Sequence, residues 1–384
     1  MSKLKKIAII GPAHPYRGGI AALNDRLALE LIKEGHDVQI WNFKLQYPGF
    51  LFPGKTQYTS DPAPEGLVIH QKINSISPWN WICTGLQIRK SSPDLIIVRY
   101  WLPFMGPALG TICRMARSKK TKIIALVDNM LPHEKRPGDM LFTRYFSGSV
   151  DGFIAMSESV YSDIDLFDLK KPKGLCPHPI YDYYGQRIKR EESLKLLGLD
   201  PSFRYMLFFG FIRQYKGLDL LLEAMAQPSF SELPVKLIIA GEFYEDEQKY
   251  LTLIEKLNLK DKIILHCDYI PNDEVNRYFG AADIVVQPYR SATQSGVTQV
   301  GYHFNKPMLV TNVGGLSEII THGKAGYVVE PDSKSISEAL VDFFKEDKLS
   351  FFEENVKEEK KRFSWERMTR TIFSVAEQID TFIN

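Results

Sequence analysis

The chain is poor in several things, and each shortage narrows what it can be. Among 384 residues there are four cysteines, Cys83, Cys113, Cys176 and Cys267, scattered without pairing or metal-ligand spacing. That argues against a disulfide scaffold and a zinc cluster and suits a reduced, cytosolic compartment. Net charge is only +2, too little to hold nucleic acid by bulk electrostatics. No apolar stretch approaches the ~18 residues that a membrane span needs. The first apolar run, in "MSKLKKIAIIG", is too short for a signal-peptide core and reads as a first strand. There is no internal repeat, no low-complexity tract and no G-x-G-x-x-G dinucleotide fingerprint.

What is present is alternation. Short, continuously apolar, β-branched runs recur at 7–10, 38–41, 67–70, 95–100, 123–127 and 152–156, then at 205–210, 235–241, 262–267, 284–288, 307–311 and 326–330. Longer helical patterns separate them. Runs apolar on both faces imply strands covered on both sides, hence parallel sheets between helices. Two rounds of this alternation predict two Rossmann-like, doubly wound α/β domains. Residues 1–185 form the first and 195–364 the second, with a proline-, tyrosine- and charge-rich linker over 171–193. Trp365, Met368, Ile372, Val375 and Ile379 share one face of a final amphipathic helix, 365–384. The charged stretch "KEEKKR" (357–362) reads as a solvated helix face.

Ligands of open α/β sheets bind beyond the carboxyl ends of the strands, and two such domains facing each other would make a cleft. After the first strand, "GPAHPYRGG" ends in Gly18 and Gly19 at a helix start. These allow either close backbone approach to an anion or simply a tight turn. After the fifth strand, "DNMLPHEKRPGD" places Asp128, His133, Glu134, Lys135, Arg136 and Asp139 in one loop, with His133 the candidate for proton handling or hydroxyl orientation. In the second half, Arg213 and Lys216 in "FIRQYKGLDLLLEAM" bracket a strand–helix turn. Two cations beside a helix N-terminus are unfavourable unless an anion joins them. A diphosphate would supply it, through an arginine fork, a lysine point charge and helix amides. Ser295, Gly296 and Val297 open a further helix whose amides could face phosphate or sugar oxygens. Gly314 and Gly315, ahead of Glu318, fit another close approach. The aromatic, basic stretch 41–58 and "SPWNWICTG" (78–86) could stack on sugars, rest on a membrane surface, or simply pack.

Taken in order, "RGGIAALNDRLALELIKEGHDVQIW", "GFIRQYKGLDLLLEAM", "LIIAGE", "PNDEVNRYFGAADIVVQP", "KPMLVTNVGGLSEII" and "GYVVEPDS" resemble the family-4 glycosyltransferases of the GT-B fold over nearly the whole chain. The resemblance implies a donor, a nucleoside-diphosphate sugar, held mainly by the second domain. It also implies retention of anomeric configuration and no cofactor or bound metal. Arg213 and Lys216 match the family's diphosphate-binding pair, Gly18 and Gly19 its glycine loop, and His133 its loop histidine. The nucleotide base would lie near Tyr269 and Ile270. The last helix would cross back to the first domain. A glycan or lipid-linked acceptor, polysaccharide biosynthesis and a cytoplasmic location, with peripheral contact at the inner membrane, are expectations at family level.

One departure is plain. Relatives carry two glutamates eight apart after the "ADIVVQP" strand, where this chain has Ala292 and Val300. Gln294 and Gln299 are the nearby polar substitutes. An epimerase or phosphorylase of the same fold, and a non-catalytic nucleotide-sugar-binding subunit, are the competing readings.

Overall fold

A computed structural model of the chain describes residues 4–49, 57–59, 62–131, 137–182, 184–292 and 295–383. The chain divides into two compact units, Met1–Pro177 with Trp365–Asn384, and His178–Ser364. The division at Pro177 falls inside the linker read from composition.

The first unit is built on seven strands: β1 (Lys6–Ile10), β2 (Asp37–Leu45), β3 (Val68–Asn74), β4 (Leu95–Tyr100), β5 (Lys122–Val127), β6 (Gly152–Ala155) and β7 (Lys173–Leu175), in the order β3-β2-β1-β4-β5-β6-β7. Every pairing is parallel. All six residues of β4 are buried because helices cover both faces. Right-handed crossovers decide which helix covers which face. The chain steps one way along the sheet from β1 to β2 and the other way from β3 through β6. Helices Pro78–Lys90, Gly106–Ala116 and Asp139–Ser147 therefore share one face, where Ile88, Leu109, Ile112 and Phe146 join Ala8, Ile10, Val98 and Ala125 in one core. The other face takes Gly19–Lys33 and the final helix, Trp365–Ile383. Glycines make room for that last helix: a Cβ on Gly152 would stand 2.8 Å from Val375, and one on Gly174 would stand 2.8 Å from Thr371.

The second unit has six parallel strands: β8 (Arg204–Phe209), β9 (Val235–Ala240), β10 (Ile263–His266), β11 (Ile284–Gln287), β12 (Met308–Thr311) and β13 (Gly326–Val329), ordered β10-β9-β8-β11-β12-β13. Its core joins Met206, Phe208, Leu237, Ile239 and Val286 to Leu218, Leu221 and Leu222 of helix Leu218–Met225. At the amino ends of the strands, buried Asp283 accepts from the Tyr205 N–H at 2.7 Å and faces Arg190 and Arg204 at 3.4 and 3.1 Å.

These are the two doubly wound parallel-sheet domains that the strand–helix alternation predicts. Each sheet has one point where strand order reverses: β1 lies between β2 and β4, and β8 lies between β9 and β11. Such switch points are where open α/β sheets bind ligands. Among the described residues no helix is long and apolar enough to cross a membrane, and no group of three or more His, Cys, Asp or Glu side chains is placed to hold a metal ion.

Candidate functional site

The turn after β8 lies at the second unit's switch point. Gly210 leaves β8 at φ +89°, and a short 3-10 turn, Gln214–Lys216, closes with the Lys216 N–H donating to the Arg213 carbonyl at 2.9 Å. Gly217 follows at φ +66° and starts helix Leu218–Met225. Glycine is required there twice over. Its conformation is left-handed, and a Cβ would sit 2.0 Å from the Pro288 carbonyl oxygen. This contact ties the turn after β8 to the segment after β11.

The turn buries Lys216, which is 8% exposed. Its Nζ and the Val297 Cγ2 lie 3.2 and 3.8 Å from where a Gly210 Cβ would stand. The ammonium therefore stands over bare backbone beside the start of helix Gly296–His303. Nζ is 5.6 Å from the Tyr289 ring centroid. Among the described residues no carboxylate pairs with it. Burial, and then the nearby Arg213 charge, push its pKa down to about 7. Arg213 is half-buried, its guanidinium 4.9 Å from the Tyr244 ring centroid. Tyr244 is set by the loop after β9, where the Ile212 N–H donates to Glu242 and the Tyr244 N–H donates to Ile212. Asp219, the acid nearest in sequence, is engaged elsewhere, by Arg290 at 2.6 Å.

Ser295 caps the facing helix: its hydroxyl oxygen accepts from the Val297 N–H at 3.2 Å and lies 3.3 Å from the Tyr289 hydroxyl. Gly296 is packed under Tyr181, whose ring would be 2.9 Å from a Cβ. Lys216, Ser295, Gly296 and Val297 thus come together at one switch point, with Arg213 on the same turn. Two cations with no ion pair among the described residues, together with a helix N-terminus, make a locally positive place suited to an anion.

Other residues singled out from the sequence lie elsewhere. Tyr269 is exposed and Ile270 half-buried, after the edge strand β10, two strands from β8. Gln299 is fully buried on helix Gly296–His303, and neither amide atom has a hydrogen-bond partner among the described residues. Val300 and Ala292 are buried too. Gln294 and the loop residues His133, Glu134, Lys135 and Arg136 lie outside the described residues.

Gly18 and Gly19 belong to the first unit's switch point. Gly18 has φ +111° and nothing within 4 Å of a Cβ, and helix Gly19–Lys33 has no acid in its first turn. The turn before it is satisfied internally. Asn42 donates to the Ala13 and His14 carbonyls at 2.8 and 2.9 Å and accepts from the Ala13 N–H at 3.1 Å. Asn24 donates to the Pro12 carbonyl at 2.8 Å, and buried Asp25 accepts from the His14 N–H at 3.1 Å.

Sequence reasoning missed one pair here. Arg99, fully buried on β4, donates through Nε and Nη2 to both oxygens of Asp128, each at 2.6 Å. The signal was available: an arginine inside the apolar run "LIIVRY" needs a counter-ion, and the register that pairs Tyr100 with Val127 puts Asp128 one step beyond. Tyr244 and Tyr289 were also missed, since nothing local marks an aromatic as the neighbour of a cation.

Residues 189–362, nearly all of the second unit, match the family model for glycosyl transferases group 1. The chain is 30% identical over 263 residues to a D-inositol 3-phosphate glycosyltransferase of Pseudarthrobacter chlorophenolicus, an alignment covering 64% of this chain and 61% of that protein. It is 27% identical over 240 residues to an uncharacterized glycosyltransferase of Methanocaldococcus jannaschii, 62% of each. The chain thus spans less than two thirds of either relative. In structure it resembles sucrose-phosphate synthase from Thermosynechococcus elongatus, with TM-score 0.74 and 16% identity over 98% of this chain and 99% of that one. It also resembles HepE of Anabaena, solved in complex with UDP, with TM-score 0.72 and 16% identity over 97% and 100%. The fold is GT-B, and residues 189–362 are similar to the glycosyl transferases group 1.

Proposed function

We propose that the protein is a hexosyltransferase, moving a sugar from a nucleoside-diphosphate sugar to a glycan or lipid-linked acceptor, with retention and without a bound metal. The observation that carries this reading is Lys216: a buried ammonium without a carboxylate partner among the described residues, aimed past Gly210 at the start of helix Gly296–His303. An unpaired buried cation is costly to keep, and a diphosphate removes that penalty. Solved neighbours in complex with UDP and with UDP-glucose support a uridine nucleotide sugar as the first donor to try.

In this mechanism the bond between the anomeric carbon and the diphosphate oxygen breaks as the acceptor hydroxyl oxygen approaches. Negative charge grows on the departing diphosphate. Lys216, Arg213 and the amides at Gly296 and Val297 are fixed before the reaction, so they stabilise that charge without reorganising. The acceptor hydroxyl passes its proton to the departing diphosphate oxygen as the new bond forms, and His133 is assigned to orient the acceptor side. Gly18 and Gly19 offer backbone approach on the first unit, and Tyr269 and Ile270 a surface for the base. Cytoplasmic polysaccharide biosynthesis by a family-4 enzyme is the setting this reading favours.

The test is calorimetric titration with a panel of nucleoside-diphosphate sugars, alongside donor consumption. Lys216→Ala should weaken donor binding about a hundredfold, the loss of one or two charge-assisted hydrogen bonds, with circular dichroism unchanged. An Ala variant that consumes donor at the wild-type rate overturns the assignment. The buried Val300 and Ala292, where relatives carry glutamates, favour a second reading as a non-catalytic nucleotide-sugar-binding subunit. Donor binding without hydrolysis or transfer across an acceptor panel would select it.

A further inference from the structure

Beyond β8 and β9 the backbone runs on as a short parallel pair. The Ile212 N–H donates to the Glu242 carbonyl at 2.9 Å, and the Tyr244 N–H donates to the Ile212 carbonyl at 3.0 Å, so Ile212 lies opposite Phe243. Successive side chains of such a pair point to opposite faces. Ile212 joins the core with Leu218 and Leu221, and Phe243 packs against it. Phe211, Arg213, Glu242 and Tyr244 are left for the other face. The rings agree: Tyr244 is 4.3 Å from Phe211, centroid to centroid, and 4.9 Å from the Arg213 guanidinium. Helix Gly296–His303 covers that same face of the sheet. Phe209 of β8 packs on Phe279 at 5.1 Å, and Phe279 packs at 5.2 Å on Phe304, just past that helix. Glu242 is half-buried there, and it is held close to the site. A Cβ on the preceding Gly241 would sit 2.4 Å from the Gly210 carbonyl oxygen, so the turns after β8 and β9 touch backbone to backbone.

Strand order decides what passes over Glu242. The order β10-β9-β8-β11 puts the two cations after β8, Glu242 after β9, and Tyr269 and Ile270 after β10. Neighbouring strands are about 4.8 Å apart. A nucleoside diphosphate with its phosphates at Lys216 and its base at Tyr269 lays its ribose across the end of β9. Ribose presents two adjacent hydroxyls, and a carboxylate has two oxygens to accept from them. In doubly wound dinucleotide sites an acid some way past the first strand–helix turn bonds the ribose. Glu242, ending the strand that follows the turn after β8 and its helix, is the topological counterpart. Helix Gly296–His303, with the sequence GVTQVGYH, offers no carboxylate of its own. A counter-ion role toward Arg213 fits less well, since Arg213 rests on the Tyr244 ring and has no ion pair among the described residues.

We propose that Glu242 binds the ribose hydroxyls of the nucleotide and makes the site selective for ribonucleotides over their deoxy counterparts. The inference rests on the reading of Arg213 and Lys216 as a diphosphate site. It does not depend on sugar transfer: a non-catalytic nucleotide-binding chain would use the same contact. The selectivity arises because a carboxylate placed for two hydroxyls is left without its donors when they are missing.

Calorimetry tests it with UDP, GDP and ADP and with the 2′,3′-dideoxy form of each. These probes carry no donor sugar, so an effect on them belongs to the ribose. The nucleotide that the wild type binds most tightly should lose about tenfold or more in its dideoxy form. Glu242→Ala should weaken the ribonucleotide about tenfold and leave the dideoxy form at its wild-type affinity, so that the two bind alike. Glu242→Gln keeps the shape and one acceptor oxygen, and it should show an intermediate preference at the wild-type thermal midpoint. Equal binding of the two forms by the wild type, or a full ribose preference kept in Glu242→Ala, overturns the inference and leaves the diphosphate reading standing. Binding of none of the three nucleotides overturns the diphosphate reading, and this inference with it.

Discussion

The two switch-point turns occupy the same place in two similar sheets and are finished differently. After β1 the backbone is secured by neutral or acidic side chains from within the unit: Asn42, Asn24 and Asp25 take up its amides and carbonyls. After β8 the turn is secured by backbone shape, through Gly210 and Gly217, and its charged side chains are left over. One turn completes itself; the other leaves Lys216 without an ion pair among the described residues. A doubly wound sheet supplies the same position twice, and the leftover charge is what leads us to propose the second copy, not the first, as the diphosphate site.

The largest effect expected from breaking this contrast is at Lys216. Lys216→Met should weaken donor binding about a hundredfold and yet stabilise the second unit by about 1–3 kcal/mol, because a buried unpaired charge is replaced by an apolar side chain. Thermal melts with and without donor check both signs. Next comes the backbone. Gly217→Ala drives a Cβ into the Pro288 carbonyl and should cost about 3 kcal/mol or more. Gly18→Ala meets open space and should cost about 1–2 kcal/mol, all of it conformational strain. Urea unfolding of the two variants compares them.

A third effect is on pH. With the free lysine near pKa 7, donor binding above that pH must take up a proton, so affinity should fall by up to about tenfold per pH unit. Calorimetry in buffers of different ionisation enthalpy reads the proton directly, and the dependence should vanish in Lys216→Met. The smallest effect belongs to the first turn. Burial raises the Asp25 carboxyl to about 7 despite the His14 N–H bond. The folded state then binds a proton that the unfolded chain has lost, so this group's contribution to stability should decline as pH rises from about 4 to about 7. Asp25→Asn should flatten that slope.

Much of this was legible in the sequence, for physical reasons. The central strands are β-branched runs covered on both faces, so β4, β5, β8 and β9 fall within a residue of their apolar runs. The edges were less legible. The continuation of β3 through His70–Gln71–Lys72 is polar because an edge strand is half solvated, and β7 is three residues of a proline-flanked linker. At the site, the Arg-x-x-Lys-Gly spacing marks the turn. Its decisive property, that the lysine is buried and the arginine is not, depends on Pro288 and Val297 some seventy to eighty residues away. At Gln299 the sequence shows a polar residue beside a missing glutamate, but not that it is fully buried with both amide atoms unpartnered among the described residues.

The final helix has a consequence for how the molecule is made. Val375 and Ile379 fill the shallow glycine-lined surface over β6 and β7, yet they lie beyond the whole of His178–Ser364 in the chain. During synthesis, the ribosome must therefore deliver the later unit before the earlier one can be closed. Until then a bare hydrophobic sheet surface waits in the cell, and translation that stalls after residue 364 would leave one finished half joined to one that chaperones must hold.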